Sequence, residues 1–235
     1  MVAVITGIGW VTVAGMGRGR EYGSFAMIDG QLPEFNRKAA FEKPYQHFGR
    51  MDEYSKLGLT AIAFALKDAG LDEWEEKRDI GIIASTAYGC LSTDIKYYDT
   101  VIPQDGLLAS PSLFAYTLPN CFLGEAAIRF GLTGASFVIN EQALSGLTSL
   151  QMAVDSIACG ESETMLAGVC DLGCPPNFVV PGKAVPGAVF FVIERVQKRN
   201  CSRYGELLLD KRGAILFKGC EIEDLEELVR KCLSI

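Results

Sequence analysis

Residues 134–146 read GASFVINEQALSG. An apolar, β-branched run meets a polar cluster, and a helix-periodic segment follows. This reads as a strand, a sharp turn and the first turn of a helix. An α/β enzyme can present a nucleophile at such a turn, because the helix N-terminus stabilises an anion and lowers a thiol's pKa. The presenting position here holds Ala143, which has no attacking atom. Gln142 is expected to satisfy its own amide against the backbone at the helix start. Asn140 or Glu141 is expected to cap the helix, and a carboxylate there gains about 0.3–1 kcal/mol. No proton donor or nucleophile accompanies Glu141, so general-base work is not expected of it.

Other reactive residue types are sparse. His47 is the single histidine and falls in an irregular segment, where a surface or loop position is expected. The eight cysteines are scattered, mostly inside apolar runs. Only Cys170 and Cys174 lie close together, and one histidine is too few for an ordinary zinc site, so no metal or cofactor is expected. Cys159 lies near the far end of the elbow helix from Ala143. Gly7 and Gly9 tempt a dinucleotide reading, but the third glycine is misplaced. A strand end with close backbone packing is the better expectation.

The elements that would hold the elbow alternate between strand and helix. A first buried strand opens at residues 2–6, and residues 15–49 read as an irregular excursion broken by Pro33 and Pro44. A helix runs from about residue 50 to Ala69, with Gly70 as its stop. Buried strands are read at 80–84, 136–139, 164–168 and 188–193, and a further strand at about 203–210. A helix or turn is expected within 88–105, an extended segment at 110–120 and a short helix at 123–130. The elbow helix is expected from about Gln142 to Ala158, with Leu144, Leu147, Leu150, Val154 and Ile157 on one face. Residues 221–232 form an acidic amphipathic helix. Such alternation means a layered α/β fold.

The chain has 235 residues and is 49% hydrophobic, which suits one compact domain over 1–235. Its net charge of −7 argues against nucleic acid and anionic membrane as partners. No cleavable leader is read before the first strand, and no apolar run reaches membrane-spanning length. A cytoplasmic location with reduced thiols is expected.

Several stretches, in order, carry a resemblance to the β-ketoacyl synthases. Residues 4–9 (VITGIG) are similar to the family's opening V-x-T-G-x-G. Arg50, Met51 and Asp52 lead a helix ending ALKDAG at 65–70, similar to the family's early helix. Residues 128–134 resemble its A-x-x-x-G-L-x-G turn, and 187–194 its G-x-G-A strand. The elbow resembles G-P-x-x-x-x-x-T-A-C-x-S-G, and without a gap the nucleophilic cysteine falls on Ala143. The resemblance implies a thiolase-like α/β/α layered fold, of which this chain matches the first half of the ketosynthase duplication. The family's two catalytic histidines belong to the second half, and His47 matches neither.

The resemblance also implies a role. Residues Phe114, Tyr116, Leu118, Cys121 and Phe122 match a segment that lies at the family's dimer interface and lines the partner's acyl tunnel. A non-catalytic subunit is expected to pair with a full-length β-ketoacyl synthase, shape or stabilise its acyl pocket, and meet acyl carrier protein only indirectly. The pathway type would be fatty-acid or polyketide synthesis, of the aryl-polyene kind. The alternatives are a self-associating acyl-binding or regulatory pseudoenzyme, and an acyl-thioester decarboxylase using Gln142. Loss of a second half is expected to leave a large apolar face that a partner or a second copy must cover.

Overall fold

The computed structural model of the chain describes residues 3–20, 23–34, 37–141, 145–175, 178, 184–195 and 204–233. Its centre is β1 (Ala3–Thr12), a ten-residue strand buried along its length. β1 turns back into β2 (Gly15–Arg18), a strand the sequence pattern hid inside its irregular excursion. That excursion also holds a short helix α1 (Arg37–Ala40) and a 3-10 turn at Gln46–Arg50.

Gly7 and Gly9 lie inside β1, not at its end as the sequence had suggested. Their role is close approach: a Cβ on Gly9 would stand 2.2 Å from the Ala65 amide nitrogen and 2.4 Å from the Ala61 carbonyl. The helix they admit is α2 (Glu53–Asp68). Asp52 caps it by accepting from the Ser55 amide at 2.9 Å, and Gly70 leaves it with φ 66°.

The chain then forms β3 (Ile80–Thr86), α3 (Leu91–Val101), α4 (Pro111–Phe114), α5 (Cys121–Phe130), β4 (Ser136–Asn140), α6 (Leu147–Cys159), β5 (Thr164–Asp171) and β6 (Gly187–Arg195). The extended reading of 110–120 gives way to α4, because Ser110 accepts from the Leu113 amide and Pro111 sits in the first turn. The C-terminal part forms β7 (Gly205–Leu209), β8 (Ile215–Phe217), β9 (Cys220–Glu221) and α7 (Leu225–Leu233). The last helix therefore starts four residues later than expected, after two short strands.

One mixed sheet runs β4-β3-β5-β6-β1-β7-β8-β9, with β2 beside the other half of β1. β3 is parallel to both β4 and β5, and the described pairings elsewhere are antiparallel. Alternation along each strand sends side chains to two cores. Ile82, Ala84, Leu166, Phe190 and Val192 face α2 and α5. Ile83, Ala167, Val169, Phe191 and Ile193 face α6 and α7. The fold is α/β/α in three layers.

The second face of the sheet is covered from within the chain. Leu150, Ala153, Val154 and Ile157 of α6 pack there beside Leu225, Leu228, Val229 and Cys232 of α7. The C-terminal unit is tied down by Leu225 N–H to the Ser145 carbonyl (3.1 Å), Gln151 Nε2 to Gly213 O (2.8 Å) and Tyr204 Oη to Asp68 (2.7 Å). Arg20 Nε donates to Cys232 O at 3.1 Å, placing a cation at the C-terminus of α7.

Candidate functional site

The three parallel strands end side by side at Thr86, Asn140 and Asp171. The connection after β3 runs through α5 on one face, and the connection after β4 runs through α6 on the other. The crevice outside such strand ends is where open α/β sheets bind ligands. The elbow lies here, between β4 and α6.

Asp171 organises this edge and was missed in the sequence. It is fully buried, and its Oδ2 accepts from Thr86 Oγ1 (2.9 Å), Ala87 N–H (2.8 Å) and Tyr88 N–H (2.9 Å). Its Oδ1 accepts from Gly173 N–H at 2.9 Å. Thr86 Oγ1 in turn accepts from Gly89 N–H at 2.8 Å. A buried carboxylate with four donors is a satisfied structural anion, which here fixes the loop after β3. An acidic residue ending an apolar strand was the available signal.

The elbow itself departs from expectation. α6 begins at Leu147, preceded by Gly146 with φ 72°, so it starts later than the periodic leucines suggested. Gln142, Ala143 and Leu144 lie outside the described residues. Neither Asn140 nor Glu141 caps the helix backbone. Asn140 Nδ2 donates to Ala87 O at 3.3 Å, and the Glu141 carboxylate accepts from the Thr148 hydroxyl on the first turn of α6. Glu141 N–H bonds Thr86 O at 2.8 Å, extending the strand pairing one residue.

Ser145 is the hydroxyl that sequence reasoning passed over. Its Oγ accepts from Leu147 N–H at 3.3 Å. A cavity of about 210 Å³ adjoins it, lined by Met27, Val169, Ala184, Asp224, Leu225 and others. The N-terminal end of α7 thus closes on the elbow. Asp224 caps that helix by accepting from Glu227 N–H at 2.8 Å, and the residues lining the cavity include no histidine to activate the serine. A larger cleft, about 620 Å³, lies between Leu32, Pro33, Lys56, Leu172 and Pro186.

Burial raises four of the described thiols, and exposed Cys174 beside the strand ends donates its Sγ to Phe178 O at 3.2 Å. Burial pushes Cys90 and Cys232 up to about 12, and burial holds Cys170 well above the ordinary thiol range. Cys121 is also raised by burial, and its Sγ donates to Ala115 O at 3.2 Å. Cys159 is exposed at the far end of α6. Among the described residues no cluster could hold a metal ion. His47 is exposed, with Nδ1 3.6 Å from Glu125 Oε2.

The five residues expected to line a tunnel separate into groups. Phe114 and Leu118 are each 61% exposed, within a face that also includes Tyr98, Ile102, Leu107 and Leu108. Tyr116 and Cys121 are half-buried, and Tyr116 Oη donates to Glu125 at 3.1 Å. Phe122 is not on this face: it is fully buried, edge-on to Tyr54 at 5.4 Å and Phe190 at 6.1 Å. Its position on the inner side of α5 commits it to the core. Neither cavity described above is lined by any of the five.

Comparison with known proteins gives one answer. The model of the β-ketoacyl synthase N-terminal domain matches residues 19–185. The 3-oxoacyl-[acyl-carrier-protein] synthase 2 of Vibrio cholerae is 28% identical over 180 residues, covering 76% of this chain and 42% of that protein. The chain thus spans less than half the length of that curated relative. Among solved structures, the ishigamide ketosynthase/chain length factor superposes with TM-score 0.67 at 17% identity, covering 88% of this chain and 62% of that one. A ketosynthase in complex with its chain length factor from Xenorhabdus doucetiae gives 0.58 at 17% identity, covering 83% and 79%.

Proposed function

The chain belongs to the β-ketoacyl synthase family, and from that premise we propose that it is a non-catalytic subunit of fatty-acid or polyketide synthesis. It pairs with an active full-length β-ketoacyl synthase and shapes or stabilises that partner's acyl pocket. Acyl carrier protein is met through the partner. The subunit works in the cytoplasm, where thiols stay reduced; among the described residues no helix is long and apolar enough to cross a membrane.

The elbow carries this reading. Condensation needs a thiolate held by a helix N-terminus, a proton-transfer partner and oriented donors for the oxyanion. The six residues joining β4 to α6 contain no cysteine, and the position in register with the family's nucleophile is Ala143. Among the described residues, no side-chain base is hydrogen-bonded to Ser145, whose Oγ accepts from Leu147 N–H. Support for pairing comes from the exposed apolar side chains of α3 to α5, and from likeness to solved structures of a ketosynthase with its chain length factor.

The test is reconstitution with a full-length β-ketoacyl synthase, acyl carrier protein and malonyl groups. The chain alone is expected to give no product, and its addition to the synthase is expected to raise that enzyme's melting temperature and shift product chain length. A synthase whose stability and products are unchanged would count against the proposal.

A further inference from the structure

The acidic excess of the chain is concentrated in one stretch of sequence, of which Asp99 and Asp105 stand on the face formed by α3, α4 and the turn between them. Residues 97–182 contain eight acidic residues and a single basic one, Arg129, so this stretch alone carries the whole −7. The remaining residues are balanced. Within it, the exposed apolar side chains of Tyr98, Ile102, Leu107, Leu108, Phe114 and Leu118 gather on α3, α4 and the turns between them. Asp99 and Asp105 are exposed among them, and residues 97–128 contain no lysine or arginine. Glu125 does not add to this surface charge, since Tyr45, Tyr116 and His47 enclose its carboxylate. Arg129 offers no relief, because its guanidinium lies over the rings of Phe41 and Phe130 at 5.4 and 5.2 Å. Lys96 borders the face but stands 3.8 Å from Glu53.

We infer that this face selects a partner of opposite charge and rejects a second copy of the chain. The inference rests on the pairing reading above and names the kind of partner: a ketosynthase surface apolar at its centre and rimmed by lysine or arginine. In a two-fold self-pairing the same patch meets itself, so its acids double with nothing to neutralise them. Apolar burial would favour either pairing alike. Charge is what separates them, because like charges at a rim disfavour a wrong partner and opposite charges speed and steady the right one.

The probes are the full chain and its Asp99→Lys/Asp105→Lys variant; both side chains are exposed, so the fold should be kept. By sedimentation velocity, the unaltered chain is expected to remain monomeric at about 10 μM in about 50 mM NaCl. Mixed with the variant, it should form a mixed dimer at least about tenfold tighter than its own self-association. Its complex with a full-length β-ketoacyl synthase should weaken about tenfold with the variant, and also in about 500 mM NaCl. A tight, salt-insensitive homodimer overturns the inference. So does a ketosynthase complex that ignores both salt and charge reversal, which would leave the pairing role standing. Absence of any ketosynthase complex in either salt removes the pairing role, and this inference with it.

Discussion

Replacing Asp171 by alanine removes the acceptor for four donors at once. The Ala87, Tyr88 and Gly173 amides and the Thr86 hydroxyl all point at its two oxygens, at 2.8 to 2.9 Å. Each buried donor left unmet costs about 1–3 kcal/mol. The hydroxyl can rotate and the loop can relax, so a total near 4 kcal/mol is expected. With a urea slope of about 3 kcal/mol per M for a chain of this size, the unfolding midpoint falls by about 1.3 M. Asp171→Asn is the informative companion. Its oxygen can take the Oδ2 place and keep three bonds, while its amide opposes the Gly173 N–H. The expected loss is about 2 kcal/mol, or about 0.7 M. Circular dichroism and tryptophan fluorescence, with Trp10 fully buried, should report the same midpoints. An alanine variant that shifts by less than about 0.3 M, or an asparagine variant worse than alanine, would refute the claim that this carboxylate holds the strand ends together.

Other outcomes follow from the packing. Gly9→Ala drives a methyl into the Ala65 and Ala61 backbone, and is expected to cost at least about 3 kcal/mol by chemical denaturation. Leu228→Asp places a charge in the core between α7 and the sheet; it should expose apolar surface to a fluorescent dye and promote aggregation. Thiol labelling at pH 8 should be fast at Cys159, Cys174 and Cys220 and very slow at Cys90, Cys170 and Cys232, as read by peptide mass. Cys90 and Cys232 keep their protons to about 12 when folded, whereas the unfolded chain releases them near the ordinary thiol value of about 9. The unfolded state thus binds fewer protons in that window, so these two groups make stability fall as pH rises from about 9 toward 12. Cysteine-to-alanine variants at either site should flatten that decline.

Much of the frame is written locally in the chain. Asp52 and Gly70 bound α2, and an unbroken apolar run marks β6, because caps and burial act through neighbours. The start of α6 is not readable in this way. Periodic leucines run through Gly146, and only its left-handed backbone separates turn from helix. β2, β8 and β9 are two to four residues long, below what alternation can mark. The α7 pattern announces an amphipathic helix, yet nothing in it says that its apolar side closes over the sheet beside α6. That placement depends on the core it shares with α6 and on the Leu225 N–H bond to Ser145 O, both far along the sequence. For the same reason the sequence does not show that α6 and α7 together cover that face, nor that exposed apolar side chains gather on α3 to α5. At the site, Ala143 is legible by register alone. Asp171 is not, since its role arises when β3 and β5 pair, and Phe122 reads as a tunnel residue until α5 turns it inward.

The account stands most directly on where an acyl group is carried. Intact mass measurement of this chain, a full-length β-ketoacyl synthase and acylated carrier protein, taken first under native and then under denaturing conditions, tests it. The account expects a complex of chain and synthase, with the acyl mass on the synthase and none on this chain. An acyl adduct on the isolated chain that turns over to product would contradict it.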